Sequence, residues 1–106
     1  MSEASIETKR YLEQIGARVK SYHNAMTRAK EYVLENAIYD QSVIMNCIIM
    51  SLLWVAAVRN EELSEDELFT FLNLEPDLAE DKTLKLADPM RDWSLEEVLD
   101  YVVKTL

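Results

Sequence analysis

The side chains best suited to catalysis or metal binding are rare in this sequence, which contains one histidine, His23, and one cysteine, Cys47. An activated nucleophile needs a base and an orienting group beside it, and a structural zinc site needs about four ligands. Val19 and Thr27 stand one helical turn to either side of His23, so no second ligand shares its face. We therefore expect no catalytic residues, no metal site, no cofactor and no disulfide. Cys47, within an apolar run, is interpreted as a buried small hydrophobe.

Glycine is equally scarce, with Gly16 the one example among 106 residues. Phosphate-binding loops, dinucleotide-binding turns and calcium loops all require glycine where the backbone takes a positive φ or approaches a ligand closely. The composition therefore excludes nucleotide-binding enzyme folds and the common calcium loop, and we expect a protein that is not an enzyme.

Carboxylates are abundant and unevenly placed. The net charge is −9, and residues 61–100 carry fourteen acidic and three basic side chains. One interpretation is a solvated surface with acids gathered at helix N-termini. The other is an acidic face that mimics a phosphate array or docks on a basic protein. The candidate partner-binding residues are Glu62, Glu65, Asp66, Asp77, Glu80 and Asp81, since the intervening Leu68, Phe69, Leu72 and Leu78 are expected to face the core.

The N-terminal region has the opposite charge balance, with six basic and three acidic side chains in residues 1–30. A basic stripe on a helix can follow nucleic-acid phosphates, and the alternative basic face consists of Lys9, Arg18, Lys20 and Arg28. The strongly anionic chain would be repelled from a polyanion, however. The simpler interpretation is that this helix packs beside acidic helices of its own chain or of a second copy.

These charged groups must be positioned by helices. Apolar residues recur at alternating gaps of three and four and predict one long helix over residues 5–36. The seam consists of Leu12, Ile15, Val19, Tyr22, Met26, Ala29 and Val33. Ala25 and Tyr32 are placed on its flanks.

A second helix is predicted over residues 41–60, with Asp40 as its N-cap. It is apolar on nearly every side, so other helices must surround it. Its sixteen-residue apolar run would span about 24 Å, less than the roughly 30 Å of a bilayer's hydrocarbon core. We therefore expect a soluble helix and no membrane association. The rest of the chain barely covers it, so part of the first two helices is expected to pack against a second copy.

Two capping boxes, in which a serine and a glutamate three residues later bond each other's backbone, predict two shorter helices. Ser64 and Glu67 open a helix over residues 65–73, and Ser94 and Glu97 open the last one, with Trp93 just before the cap. Between them we expect a loop attached to the core by Leu84, Leu86 and Met90. The last helix has one apolar face, made of Leu95, Val98, Leu99, Val102, Val103 and Leu106.

The sequence thus predicts an all-α, four-helix single domain over residues 1–106, with a long N-terminal helix and a central hydrophobic helix, completed by homodimerisation. The N-terminus shows no secretory signal, which favours a cytoplasmic location. The predicted function is a non-enzymatic protein-binding module, an acidic adaptor or inhibitor of a basic protein such as one that handles nucleic acids. Its composition is similar to that of small immunity proteins and phage-encoded inhibitors. The alternative is an oligomeric nucleic-acid-associated protein that uses the basic face.

Overall fold

A computed structural model describes residues 3–72, 83–84, 86 and 90–105, with the backbone alone for residues 3–15 and 83–84. Four helices make up most of this part: α1 is Glu3–Glu35, α2 is Gln41–Val58, α3 is Glu65–Leu72 and α4 is Leu95–Thr105. The predicted all-α character is confirmed, and the helices begin and end within two residues of the predicted positions.

The buried face of α1 follows the predicted seam over its C-terminal half. Tyr22, Met26, Ala29 and Val33 are all buried. The flanking residues Ala25 and Tyr32 are buried as well. The apolar stripe is wider than a coiled-coil seam since α1 packs against two helices, α2 and α4.

Helix α2 contacts both α1 and α4, yet a single chain does not cover it on every side. Its buried residues are Cys47, Ile48, Ser51, Leu52, Leu53, Val55 and Ala56. A second stripe, with gaps of three and four residues, is only half-buried and consists of Val43, Asn46, Met50, Trp54 and Ala57. Met45 and Val58 are exposed. Among the described residues, α2 is the one helix long and apolar enough to cross a membrane, and 39% of that span is buried inside the chain.

Helices α1 and α2 both end in a turn where one residue adopts a left-handed backbone conformation. Ala37 (φ 51°) follows α1, and Asn60 (φ 55°) follows α2. The amide of the next residue then donates back into the last helical turn, from Ile38 at 2.9 Å and from Glu61 at 2.8 Å. The end of α2 therefore holds Glu61 in a defined place.

The helix starts match the sequence signals. Asp40 Oδ1 accepts hydrogen bonds from the amides of Ser42 and Val43 at 2.9 and 3.2 Å, which confirms the predicted cap of α2. Both serine caps are present: the amide of Glu67 donates to Ser64 Oγ at 3.2 Å, and the amide of Glu97 donates to Ser94 Oγ at 3.3 Å. The reciprocal bond forms at α4, where the amide of Ser94 donates to Glu97 Oε1 at 3.2 Å, whereas Glu67 Oε1 accepts from the hydroxyl of Ser64 instead. The start of each helix is therefore set by residues adjacent to it in sequence.

One feature was not predicted, a two-residue antiparallel strand pair. β1 (Leu63–Ser64) pairs with β2 (Thr83–Leu84), with Leu63 opposite Leu84. Strands of two residues are too short to carry an alternating apolar pattern, so no periodic signal predicts them. The pair brings the loop before α4 back to the start of α3. Leu86 and Met90 are buried as expected, whereas the side chain of Leu84 lies outside the described residues.

Candidate acidic interface

The acidic residues at the start of α3 divide into an outward set and an inward set. Glu62 and Asp66 are exposed and Glu65 is partly exposed, whereas Glu61 and Glu67 point toward α1. The outward set contains three of the predicted partner-binding residues. The amides at the helix N-terminus favour negative charge there, so these carboxylates can be held together at modest cost.

Arg18 of α1 binds the two inward carboxylates. Its Nε lies 2.7 Å from Glu61 Oε2, and its Nη2 lies 2.8 Å from Glu67 Oε2. Glu61 also accepts hydrogen bonds from Tyr22 Oη at 3.0 Å and from Arg59 Nε at 2.5 Å. These contacts neutralise the inward acids within the fold and join α1 to the end of α2 and the start of α3.

The protonation of this cluster follows from its contacts. Burial works against the charged form of Glu61, but the hydrogen bonds from Arg59, Arg18 and Tyr22 prevail and hold its pKa below the usual range. The hydrogen bond to Glu67 raises the pKa of Arg18 further above neutrality. Burial, with the hydrogen bond to Glu61, raises the pKa of Tyr22 to about 12. At neutral pH the arginine and the Glu61 carboxylate are charged and Tyr22 is neutral.

Arg28, ten residues further along α1, contacts a second group of acids. It contacts Glu96 of α4 through Nε at 2.6 Å and Glu35 through Nη1 at 3.0 Å, with Glu31 at 3.6 Å. Hydrogen bonds to Glu35 and Glu96 raise the pKa of Arg28. The acids bound to Arg28 are more exposed than Glu61 and Glu67, so each of these ion pairs contributes less to stability.

The residues of the predicted basic face therefore differ in their contacts. Arg18 and Arg28 bind acids of the same chain, which confirms the interpretation that α1 packs beside acidic segments of its own fold. Lys20 is exposed. Lys9 belongs to α1, and its side chain lies outside the described residues. The four residues do not form one continuous free cationic surface, because two of them are already neutralised.

Part of the predicted acidic surface falls beyond the described residues, namely Asp77, Glu80 and Asp81. The expected inward residue Leu78 also lies there. Within α3, Leu68 is buried as predicted. The prediction for Phe69 needs correction: Phe71 and Leu72 pack against the core cluster and Phe69 does not, although all three are partly buried. Phe71 stacks on Tyr22 with ring centroids 4.7 Å apart. The pairing of Phe71 with Tyr22 depends on where α1 crosses α3, which spacing along α3 does not reveal.

A second acidic surface, on α4, was not anticipated from the sequence as a binding surface. Trp93, Glu97, Asp100, Tyr101 and Lys104 line a groove with a volume of about 290 Å³. Their spacing of four, three, one and three residues places them on one helical face, a signal present in the sequence. From the sequence, Glu97 is interpreted only as part of the capping box, and no pattern pairs Trp93 with Tyr101, eight residues further on.

The histidine and the cysteine have ordinary surroundings. His23 is exposed and meets the ring of Phe71 edge-on, with centroids 6.0 Å apart. Cys47 is fully buried, and burial raises the pKa of its thiol. Within the described part of the chain, no group of three or more His, Cys, Asp or Glu side chains is arranged to hold a metal ion.

Comparisons of the whole chain with protein-family models, with curated proteins and with solved structures gave no match.

Proposed function

We propose that this chain is a non-enzymatic protein-binding module, an adaptor or inhibitor whose acidic surface docks on a basic protein. The observation that carries the proposal is the division of the acids around α3. Arg18 neutralises Glu61 and Glu67 inside the fold, whereas Glu65 and Asp66 make no ion pair among the described residues and face outward. Excess negative charge thus remains on the surface of a chain of net charge −9.

Clustered charge of one sign acts mainly on the rate of association. Complementary potentials steer two proteins together over roughly a Debye length, about 8 Å at physiological salt. A cluster at a helix start is also held on a rigid element, so it presents a defined pattern to its target. The partner chemistry implied is a surface rich in lysine and arginine, as on proteins that handle nucleic acids.

The test reverses the outward acids together, as Glu62→Lys, Glu65→Lys and Asp66→Lys, in the full chain. Partners captured from the native host by the unchanged protein are quantified against this variant. We expect capture to fall by at least about tenfold and association to lose most of its salt dependence. Circular dichroism verifies that the helices remain.

The matched control removes positive charge from α1. Because Arg18 and Arg28 support the fold, the control changes Lys9→Gln and Lys20→Gln instead. Capture that survives the acidic reversals and is lost with the lysine changes would assign the working surface to α1. Binding of duplex or single-stranded oligonucleotides in a mobility-shift assay at about 50 mM salt would then support the nucleic-acid-associated alternative.

We further propose that α2 becomes central in a homodimer. The half-buried stripe from Val43 to Ala57 carries no charge, and no charged residue occurs in Gln41–Val58. Two copies of a strongly anionic chain can meet along this stripe without burying like charges. A two-fold axis would place the stripe against itself and cover the side of α2 that one chain leaves open.

A further inference from the structure

Two aromatic rings that line the groove on α4 form a corner. The rings of Trp93 and Tyr101 have centroids 5.6 Å apart and meet at an angle of 67°. Tyr101 remains 43% exposed, and Trp93 is half-buried. Trp93 is held in place by its backbone, since its carbonyl accepts a hydrogen bond from Trp54 Nε1 at 2.8 Å. An open corner of two rings offers the negative π-face that attracts organic cations.

Two carboxylates beside this corner are already oriented. Glu97 Oε1 accepts from the amide and the hydroxyl of Ser94 at 3.2 and 3.0 Å. Asp100 Oδ1 accepts from the hydroxyl of Tyr32. No described hydrogen bond engages Glu97 Oε2 or Asp100 Oδ2, so each carboxylate keeps an acceptor for a ligand. Their orientation is fixed before binding, which lowers the entropy lost on association.

We propose that this groove binds the guanidinium of an arginine side chain from the basic partner. This inference deepens the proposed function and rests on it for the identity of the ligand's carrier. A planar guanidinium can stack on an aromatic ring while its N–H groups donate to carboxylates in the plane, which an ammonium cannot do. The neighbouring acid Glu96 is bound by Arg28, so Glu97 and Asp100 supply the local negative charge.

Lys104 also lines the groove and makes the proposal testable through its charge. Its ammonium repels a bound cation, whereas it would attract an anion. It has no ion pair among the described residues, so its removal disturbs no contact of the fold. Lys104→Gln is therefore expected to tighten arginine binding about two- to threefold, a size typical of one exposed charge. Lys20→Gln, on another helix, makes the same change in net charge and is expected to have no effect.

The experiment uses the full chain and a short blocked peptide with one arginine, added to millimolar concentration. Binding is followed through the NMR signals of the Trp93 and Tyr101 rings. We expect saturable shifts of both rings, at least threefold weaker binding of the lysine peptide, and no binding of a citrulline peptide, which keeps the shape but lacks the charge. Equal binding of citrulline, or tighter binding of a glutamate peptide, would overturn the proposal.

Three variants remove single features and keep the fold. In Glu97→Gln the glutamine preserves the capping box, and in Asp100→Asn the asparagine keeps an acceptor for the hydroxyl of Tyr32. Each should weaken arginine binding about three- to tenfold through loss of a charged hydrogen bond. Tyr101→Leu should weaken it about two- to fivefold through loss of a cation–π contact. Unchanged affinity in all three would refute the site.

The failure of this site and the failure of the proposed function give different results. If the arginine peptide does not bind but the reversals at Glu62, Glu65 and Asp66 abolish partner capture, the groove proposal is wrong and the acidic module stands. If the peptide binds and the reversals have no effect, the groove is confirmed and the α3 surface is not the interface.

Discussion

Glu61 connects α1 to the end of α2 through its side-chain hydrogen bonds. It is held just beyond α2 by the left-handed turn at Asn60 and accepts hydrogen bonds from three side chains. Its side chain is 22% exposed, so its bonds to Arg18 and Tyr22 form partly out of water, where charged hydrogen bonds are stronger. The same carboxylate therefore contributes to stability rather than to the outward charge.

Glu61→Gln is expected to lower the free energy of unfolding at pH 7 by about 2 kcal/mol, because charged hydrogen bonds become neutral ones. The folded-state pKa of Glu61 lies below its ordinary value of 4.5. The stability it supplies is therefore complete above that pH and is lost as the pH falls through the folded pKa. Urea denaturation at pH 7 and at about pH 3 should show the difference between the two proteins shrinking in acid.

The control for this change is Asp66→Asn, at an exposed acid with no described ion pair. Its effect on the free energy of unfolding is expected to be about 0.5 kcal/mol or less. A Glu61→Gln deficit of equal size at both pH values would show that the carboxylate's charge is not what stabilises the cluster.

At the scale of elements, the turns that end α1 and α2 use different residues for the same backbone conformation. Asn60 adopts positive φ readily, whereas Ala37 does so against the steric preference of its Cβ. The chain's one glycine lies instead inside α1, at Gly16, where a Cβ would meet nothing within 4 Å. The sequence therefore lacks glycine where the backbone geometry favours it.

Ala37→Gly is expected to raise the free energy of unfolding by about 0.5 to 1 kcal/mol, because glycine takes the left-handed conformation without strain. Asn60→Gly is the matched change at the other turn and should alter stability by only a few tenths of a kcal/mol. Thermal and urea denaturation measure both. Destabilisation by Ala37→Gly would mean that the turn does not hold its left-handed conformation in solution.

At the scale of the whole molecule, two surfaces are acidic and a third is apolar and uncharged. The α3 and α4 surfaces carry the outward acids, and the open side of α2 carries no charge. Charged surfaces keep copies of the chain apart, while an uncharged apolar stripe permits close contact between them. The proposed homodimer and the proposed basic partner would therefore use different sides of the molecule.

The proposed homodimer predicts a mass of about 25 kDa by size-exclusion chromatography with light scattering at micromolar concentration, twice the 12.3 kDa of the chain. Met50→Glu places a charge on the half-buried stripe and should shift the protein toward the monomer. Met45→Glu is the matched control, because Met45 lies on α2 outside this stripe. A mass of about 12 kDa for the protein without substitutions would contradict the dimer.

Local sequence was sufficient for the helices and their starts. The caps at Asp40, Ser64 and Ser94 act within three residues, and apolar periodicity acts within four, so neither depends on the rest of the fold. The scarcity of glycine, histidine and cysteine, which is visible in the sequence alone, likewise limits the phosphate-binding loops, Cys/His zinc sites and disulfides that the chain can form. The candidate acids Glu62, Glu65 and Asp66 could be selected because they lie at or just before the first turn of α3, whose Leu68 the apolar pattern correctly places inward.

Tertiary structure decided which charges are neutralised and which remain. Arg18 and Glu61 are 43 residues apart in sequence, and Arg28 and Glu96 are 68 apart. The packing of α1 on the other helices chooses these partners, and no pattern along the chain encodes that choice. The β1–β2 pair, the stacking of Phe71 on Tyr22 and the orientation of Asp100 by Tyr32 have the same origin. Each requires two segments to meet, because a side chain's partner is set by position in space rather than by position in sequence.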